Sequence, residues 1–398
     1  MPGNDVGPGA SRSPKMATGR DTLPMLARQF RAAGRRVWAS ARRLPAPFAL
    51  MGLISSATHT AAPTAAPASH NAPVASADMR PLPPAPRPAQ ARIILNPTSG
   101  SGRGAALLRE IEATVAWLDA HSVVAEVTAT TGPGSARVLA EEAVRMELPL
   151  VVAAGGDGTI NEVVQALVGH TTALGVLPLG TVNVWAREMN IPLGLADARE
   201  VLVRGVRRRI DVGRANARYF LLMAGIGIDA EVTRRVERHW LKRFGLKLLD
   251  YVAMSGYIGV TQRPARVSVR RGVHRRSAHA VQILIGNTRL WGGALELTQR
   301  ALADDGWLDV VYVGGHHLRH RISVFMRAAL RRPSLGPGAR YERVRTLHLD
   351  AATPLPVQVD GELIGYLPMT FVVMPRALTV VVPRGAPSDL FIHPPLED

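Results

Sequence analysis

Three short stretches bring together residue types that handle phosphate. They are NPTSGSGRG at 96–104, GGDGT at 155–159 and GTVN at 180–183. Each ends an apolar run and opens a new periodic one, so each sits where a strand hands over to a helix. Backbone N–H groups at a helix start carry partial positive charge and suit phosphate oxygens. None of the three is a Walker A loop, because no Gly-Lys-Ser/Thr follows. A tight turn made for packing explains a lone GTVN equally well, but three such loops in consecutive units are much harder to explain by packing. Thr159 and Glu162 are spaced as a capping box, which accounts for those two without a ligand. Asp157 is not accounted for in that way. A carboxylate facing a triphosphate is repelled unless Mg2+, or water on Mg2+, bridges the two, or a basic residue pairs with it. Arg103, in the first loop, is the candidate partner. Otherwise Asp157 reads sugar or substrate hydroxyls, or merely turns a Gly-rich bend.

Two acidic stretches lie later in the chain, LADDGWL at 302–308 and VQVDGE at 357–362. A carboxylate with backbone carbonyls suits a part-hydrated Mg2+, and a carboxylate within reach of a hydroxyl serves as a base. Asp-Gly also favours a plain hairpin turn, which explains both stretches without chemistry.

The elements that must position these residues follow from periodicity. From residue 91 onward, ARIIL, SVVAEVTAT, LPLVVAA and TALGVLPL read as strands. GAALLREIEATVAWLDA, GSARVLAEEAVRM, INEVVQALVG and VNVWAREMN read as the helices between them, the last stopped by Asn190 and Pro192. Four strand–helix units predict an α/β domain, a parallel sheet with helices on both faces, over 91–206. The near-continuous apolar strands agree with burial on both sides. In such a sheet the loops after the strands gather at one edge, where ligands bind. From 207 to 398 the segments become short and alternating, as in RRIDVGRA, AVQILIGN, LDVVYV, RTLHLD and MTFVVMP. They predict a mostly antiparallel β-sandwich, interrupted by one helical stretch around 229–259. A cleft between the two domains is the expected ligand site.

Composition bounds the partners. The 398 residues carry a net charge of +17, and there is no cysteine. The first favours acidic partners, that is nucleic acid, an anionic membrane surface or polyphosphate substrates; the second excludes a thiol nucleophile, a disulfide framework and a Cys-held metal, and fits a reducing compartment. Aromatics are 5%, with no basic platform interleaved with rings and no zinc-finger spacing, so nucleic acid is not the expected partner. Residues 1–90 hold ten Arg and one Lys against three Asp, +8 of the +17. Their Ala/Pro-rich composition predicts a disordered basic extension; its stretch MLARQFRAAGRRVWASARRLPAPFALMGLI also reads as a membrane-surface helix, too short in its apolar part to span a bilayer.

Taken together, NPTSGSGRG, GGDGTINE, LPLGTVNVWARE, IGNTRLWGGALELTQRALADDGWLDVVYV and VQVDGE resemble the diacylglycerol kinase catalytic family, which also includes sphingosine and ceramide kinases. The resemblance runs from about 91 to 383. GGDGT alone is shared with NAD kinases, but with GTVN and a late DGE it is much more specific. The resemblance implies an NAD kinase/diacylglycerol kinase-like fold and transfer of the ATP γ-phosphate to a lipid hydroxyl. It implies that Asn96, Pro97, Thr98, Ser99 and Gly100, with Arg103 in the same loop, line the nucleotide site, and that Thr131 touches ATP. Gly155, Gly156, Asp157, Gly158, Thr159, Asn161 and Glu162 would cradle the phosphates, with Thr181 and Asn183 from the third loop. It places a Mg2+ on the Asp305 side chain and the Leu302 and Trp307 carbonyls, and the base on Glu362 with Asp360 beside it. Val184 departs from the pattern, since many members have an aspartate there, whereas Asp211 matches another acidic position. Losing that carboxylate would shift the substrate, weaken an ion network or mark an inactive member, although a subgroup of bacterial relatives carries an apolar residue there.

A lipid acceptor implies docking at the inner face of the cell membrane from the cytoplasm, without a transmembrane segment. RRVERHWLKRFGLK at 234–247 interleaves cationic and apolar residues as an anionic surface requires, and RVSVRRGVHRRS and HHLRHRISVFMRAALRRP add basic surface. The histidines His316, His317 and His320 lack metal-binding spacing and read as surface residues. The leading expectation is a diacylglycerol kinase; a sphingoid-base, ceramide or phosphatidylglycerol kinase is the alternative. A catalytically silent nucleotide- and membrane-binding module is the reading from another class. A homodimer is compatible with the sequence, which does not address oligomeric state.

Overall fold

The computed structural model describes residues 90–99, 104–228, 230–231, 264–293, 295–314 and 318–397. Gly100, Arg103, the extension before residue 90, the basic stretch 234–247, His316 and His317 lie outside the described residues.

The chain begins with four strand–helix units: β1 Gln90–Leu95, α1 Gly104–Ala120, β2 Val124–Ala129, α2 Ser135–Arg145, β3 Leu150–Gly155, α3 Asp157–Leu167, β4 Ala173–Pro178 and α4 Val184–Glu188. These four strands pair in parallel in the order β2-β1-β3-β4. Every residue of β3 and β4 is buried, as expected of strands covered on both faces. On α2 the buried residues are Ala136, Ala140 and Ala143, a narrow small-residue stripe that lets the helix lie close to the sheet.

After α5 Leu195–Arg204 the chain runs through β5 Val206–Ala215, β6 Arg218–Phe220, β7 Met223–Gly227, β8 Ala265–Arg271, β9 His274–Ala280 and β10 Gln282–Gly286. A short hairpin of β11 Leu290–Trp291 and β12 Leu295–Glu296 precedes β13 Leu308–Val313, α6 Leu318–Ala329, β14 Ala339–Val344 and β15 Thr346–Ala351. The last strands are β16 Pro356–Val359, β17 Glu362–Tyr366 and β18 Met369–Val382. Strands β14-β13-β10-β7-β16-β17 form a six-stranded antiparallel sheet. Its apolar side, including Ile226, Ile283, Ile285, Val310 and Val357, packs in one cluster with Val267, Val269, Leu347 and Phe371 from the other sheet. The architecture is therefore an α/β N-terminal part and a mostly antiparallel β-sandwich.

Two features differ from the periodicity reading. The helical segment α6 falls in a stretch read only as basic surface, and the parallel sheet does not stop near residue 206. It continues through β18, which pairs with β4 in parallel and with β5 and β15 antiparallel, so one ten-stranded sheet runs from the strand–helix units into the sandwich. The long β18 turns at an irregularity between Met374 and Leu378, with Arg376 at φ 48°. Asp211 on β5, fully buried, fills that bend: its Oδ1 accepts the Arg376 N–H at 2.7 Å and its Oδ2 the Gly306 N–H at 2.5 Å. Burial pushes the Asp211 carboxyl up to about 7 against these two bonds.

Candidate active site

The first loop is built around Asn96. Its N–H donates to the Ala154 carbonyl, and its Oδ1 accepts both the Thr98 N–H at 3.0 Å and the Thr98 hydroxyl at 2.8 Å. Its Nδ2 donates to the Thr159 Oγ1 at 3.0 Å, which fastens the first loop to α3. The second strand's loop is held by Ser135, whose Oγ accepts the Thr131 and Gly132 N–H groups.

The helix α3 starts one residue after Gly156, which caps it without any side-chain bond. The capping box read at Thr159 and Glu162 is therefore corrected. The helix begins before Thr159, so that residue lies within its first turn and its oxygen accepts from Asn96. Glu162 points to the neighbouring helix instead, where its two oxygens accept the Gly134 N–H at 2.9 Å and the Ala136 N–H at 3.1 Å at the start of α2. A carboxylate at that end favours the helix dipole.

A cavity of about 380 Å3 opens where these pieces meet, lined by Asn96, Pro97, Thr98, Thr131, Gly158, Thr159 and Glu162 among others. Its volume is within the range of small-molecule sites. The first turn of α3 forms one wall, where an anion would meet a helix N-terminus. Ser99 follows in the same loop, its N–H bonded to the Asn96 carbonyl.

The third loop is tied to the second from behind. A side chain at Gly180 would come within 2.6 Å of the Gly156 Cα and 2.7 Å of the Asn183 Oδ1, so the two loops touch through glycine backbone. Asn183, at φ 54°, closes its own loop by accepting from the Gly180 N–H at 2.8 Å and donating to the Gly180 carbonyl at 2.9 Å. Thr181 is exposed beside it. Neither Thr181 nor Asn183 lines the cavity. Asp157 answers part of the charge question posed by GGDGT. Its Oδ1 accepts the Trp185 N–H at 3.3 Å, at the start of α4. Burial raises its pKa, and the amides of Val184, Trp185 and Asn183 lower it. The carboxylate thus serves the neighbouring helix start. Val184 lies beside the β11–β12 turn, where a side chain at Gly293 would come within 3.6 Å of its Cγ2.

On the sandwich side, Asp360 and Gly361 form the two-residue turn between β16 and β17, with φ of 47° and 85°. Asp360 is saturated. Its Oδ1 accepts the Leu222 and Met223 N–H groups at 2.9 and 3.0 Å, and its Oδ2 accepts the Leu221 N–H at 2.7 Å and the Asn161 Nδ2 at 2.9 Å. Burial raises its pKa against those four bonds. This is a carboxylate built into the turn between β6 and β7, with no lone pair aimed at a substrate. Glu362, two residues on, is different: its side chain is 53% exposed, and its Oε2 meets the Arg218 NH2 at 2.5 Å. Arg218 NH2 also donates to the Asn161 Oδ1 at 2.9 Å. Gln165, one turn further along α3, exchanges bonds with both backbone groups of Tyr219. One face of α3 therefore holds β6 and the Asp360 turn, while its first turn lines the cavity. Glu362 lies two hydrogen bonds from that helix.

Arg218 is the residue the sequence did not single out. It sits in NARYF with no local motif, and its partners are 57 and 144 positions away. Its only signal was a cation beside a strand break in the half that carries DGE.

The ADDGW stretch forms a different arrangement. Asp305 Oδ1 accepts the Trp307 N–H at 3.0 Å, and its Oδ2 is paired with the Arg343 guanidinium. The Trp307 ring has the Arg343 and Arg345 guanidinium carbons 5.5 and 4.7 Å from its centroid. Asp304 is bonded to the Ile392 and His393 amides. Among the described residues no group of three or more His, Asp or Glu is placed to hold a metal. A cation held by Asp305 with the Leu302 and Trp307 carbonyls would have to displace Arg343 from the Asp305 Oδ2.

Comparison with known proteins matches this layout. Residues 90–215 match the family model described as the diacylglycerol kinase catalytic domain, and residues 223–382 the YegS C-terminal NAD kinase beta sandwich-like domain. A Staphylococcus aureus (strain bovine RF122 / ET3-1) protein named diacylglycerol kinase is 30% identical over 308 residues, 76% of this chain and 95% of that protein. One from Staphylococcus carnosus (strain TM300), also named diacylglycerol kinase, is 28% identical over 307 residues, 76% of this chain and 98% of that protein. A solved Bacillus anthracis structure titled as a diacylglycerol kinase superposes with a TM-score of 0.58 at 18% identity, over 74% of this chain and 97% of that one. The chain belongs to the diacylglycerol kinase catalytic family, and is a lipid kinase by that membership.

Proposed function

We infer that the protein transfers the γ-phosphate of ATP to the hydroxyl of diacylglycerol or a closely related lipid alcohol. The observation that carries this reading is the junction at α3. Its first turn lines the cavity, and its Asn161 reaches through Arg218 to an exposed carboxylate, Glu362.

In this reading the nucleotide lies in the cavity with its phosphates at the start of α3, and Asn96, Thr98 and Thr131 shape the near wall. Glu362 accepts the proton of the acceptor hydroxyl. The alcohol oxygen forms its bond to the γ-phosphorus as the bond to the bridging β–γ oxygen breaks, and ADP leaves. Arg218 holds the carboxylate in place and spreads positive charge toward the reacting groups. Kinases of this family generally use a divalent cation, which supplies charge neutralisation when bound. Glu162 and Asp157 already accept amides here, so they are the carboxylates beside the α3 start that would hold such a cation, which would supply neutralisation of the phosphate charge.

Labelled ATP, Mg2+ and mixed vesicles carrying diacylglycerol, a sphingoid base, ceramide or phosphatidylglycerol should yield one labelled lipid whose mobility names the acceptor. Glu362→Gln should lower turnover by about 100-fold or more, since a lost general base costs that much, with nucleotide binding kept. Wild-type turnover in that variant would remove Glu362 from the reaction. Nucleotide binding with no lipid labelled at all would favour a silent module, the reading that Val184 supports.

A further inference from the structure

The helix α6 is apolar on its outer side as well as its inner one. Its buried residues are Arg321, Val324 and Ala328. Its outer side carries Leu318, Ile322 and Met326, one above another at four-residue spacing, and Leu330 follows just past its end. These are 39%, 52%, 54% and 61% exposed. The row is about 18 Å long at the usual helical rise. A soluble helix puts polar groups on that side.

The surroundings of the row are cationic. Arg319 is exposed at its start, and Arg331 and Arg332 at its end. No acidic residue occurs between Asp309 and Glu342. One carboxylate from elsewhere in the chain, Glu296, lies 3.2 Å from Arg331. An apolar row with arginines at both ends matches the edge of an anionic bilayer, where the row sinks among the acyl chains and the guanidinium groups meet phosphates. It does not match a second copy of itself. A two-fold pairing of antiparallel helices would set Arg319 of one copy against Arg331 and Arg332 of the other, like charge against like.

The position of the row bears on the active site. Phe325, on α6, lies 6.2 Å from the Trp291 ring of the β11–β12 hairpin. The chain entering that hairpin is bonded to Glu188, whose oxygens accept the Arg289 and Leu290 N–H groups at 3.1 and 2.7 Å. Glu188 ends α4, the helix that follows the third glycine loop. A surface resting on α6 is therefore joined to the nucleotide loops by a short chain of packed and bonded groups.

We propose that the outer face of α6 docks the protein on anionic lipid bilayers through Leu318, Ile322, Met326 and Leu330, with Arg319, Arg331 and Arg332 on the headgroups. Its purpose, presenting the active site to a lipid acceptor, rests on the lipid-kinase reading; the binding itself does not. The test uses the full chain sedimented with phosphatidylcholine vesicles, with and without about 30 mol% phosphatidylglycerol, a surface charge that attracts arginine. The wild type should sediment with the anionic vesicles only. The double variant Ile322→Asp/Met326→Asp, altered only at exposed positions, should keep its circular dichroism spectrum and partition at least about tenfold less, the direction that lost apolar burial dictates. The double variant Arg271→Gln/Arg275→Gln in the β8–β9 hairpin makes a charge change of equal size off this face and should bind nearly as well as wild type. Because the chain has no cysteine, Met326→Cys labelled with an environment-sensitive dye reports the face alone, and its emission should shift to the blue on anionic vesicles. Equal sedimentation of the aspartate variant, an unshifted dye, or loss of binding from the hairpin variant alone would overturn the proposal. So would a wild type that elutes as a dimer when the aspartate variant elutes as a monomer. If the kinase reading fails, no lipid is labelled while docking persists. If docking fails, detergent-dispersed lipid is still phosphorylated.

Discussion

Asp360→Asn tests whether the aspartate of DGE acts on substrate or holds the fold. The substitution keeps the shape of the side chain and removes its charge. One amide oxygen can still accept two of the four N–H donors that Asp360 now satisfies. The amide NH2 then faces the other two, which lose an acceptor and meet a donor. Hydrogen bonds to a charged group contribute about 1.5–3 kcal/mol each, and a buried donor left unpaired costs about 1–3. Against this, Asn escapes the burial that raises the carboxyl's pKa. The net loss should be about 2–4 kcal/mol, a fall in thermal midpoint of about 5–15 °C for a domain of this size. The assay is a thermal melt followed by circular dichroism, alongside nucleotide binding and lipid turnover at a temperature where both proteins are folded. Stability should fall most, because the β6–β7 turn and α3 lose their common anchor. A variant that melts within about 1 °C of wild type yet turns over no lipid would refute the structural assignment, because a shift that small leaves no lost hydrogen bond to account for.

Further outcomes follow from neighbouring contacts. Gly180→Ala places a Cβ 2.6 Å from the Gly156 Cα, so it should push the second and third loops apart; the nucleotide KM should rise by about tenfold with a lower melting midpoint, since backbone cannot rotate away as a side chain can. Arg218→Lys keeps the charge but loses the planar fork that spans Asn161 and Glu362; kcat should drop by about tenfold with the nucleotide Kd unchanged. Burial pushes Glu188 and Asp211 up to about 7, from 4.5 and 3.8. Raised folded values mean that the stability from these groups is complete below about pH 4 and drains as pH rises toward 7. Melts across that window should show the decline, and Glu188→Gln should make it shallower.

The parts of the fold that were legible in the sequence are those fixed by local chemistry. β3 and β4 are buried throughout, and apolar runs announce that. The Asp-Gly turn at 360–361 takes the two positive φ angles that its residue types favour. What stayed hidden depended on distance along the chain. A spacing of three between Thr159 and Glu162 gave no sign that α2 would come close enough to take the glutamate. Arg343 reaches Asp305 from 38 positions away, and no feature of ADDGW foretells it. The helix α6 does carry the helical period, in Leu318, Ile322, Phe325 and Met326, but the arginines and histidines set between them read first as basic surface. The ten-stranded sheet escaped because β18 carries no mark that it returns to β4.

The same long-range contacts explain how one helix can serve two halves of the protein. On the proposed function, a phosphate site needs the start of α3 held still, and a base on a hairpin needs a fixed distance from that start. Neither requirement is met by packing alone, because apolar contacts tolerate sliding. The directional bonds of Asn161 and Gln165 remove that freedom: Asn161 fixes Asp360 and Arg218, Gln165 fixes Tyr219, and both residues stand on one face of α3 one turn apart. Asp360 therefore locks the strand pair from which Glu362 projects. The glycine contact at 156 and 180 extends the same constraint to the third loop, and Glu188 carries it on to the hairpin that packs against α6. The outer face of α6 is thereby joined to the first turn of α3 through the Phe325–Trp291 ring contact, the Glu188 bonds and the glycine contact.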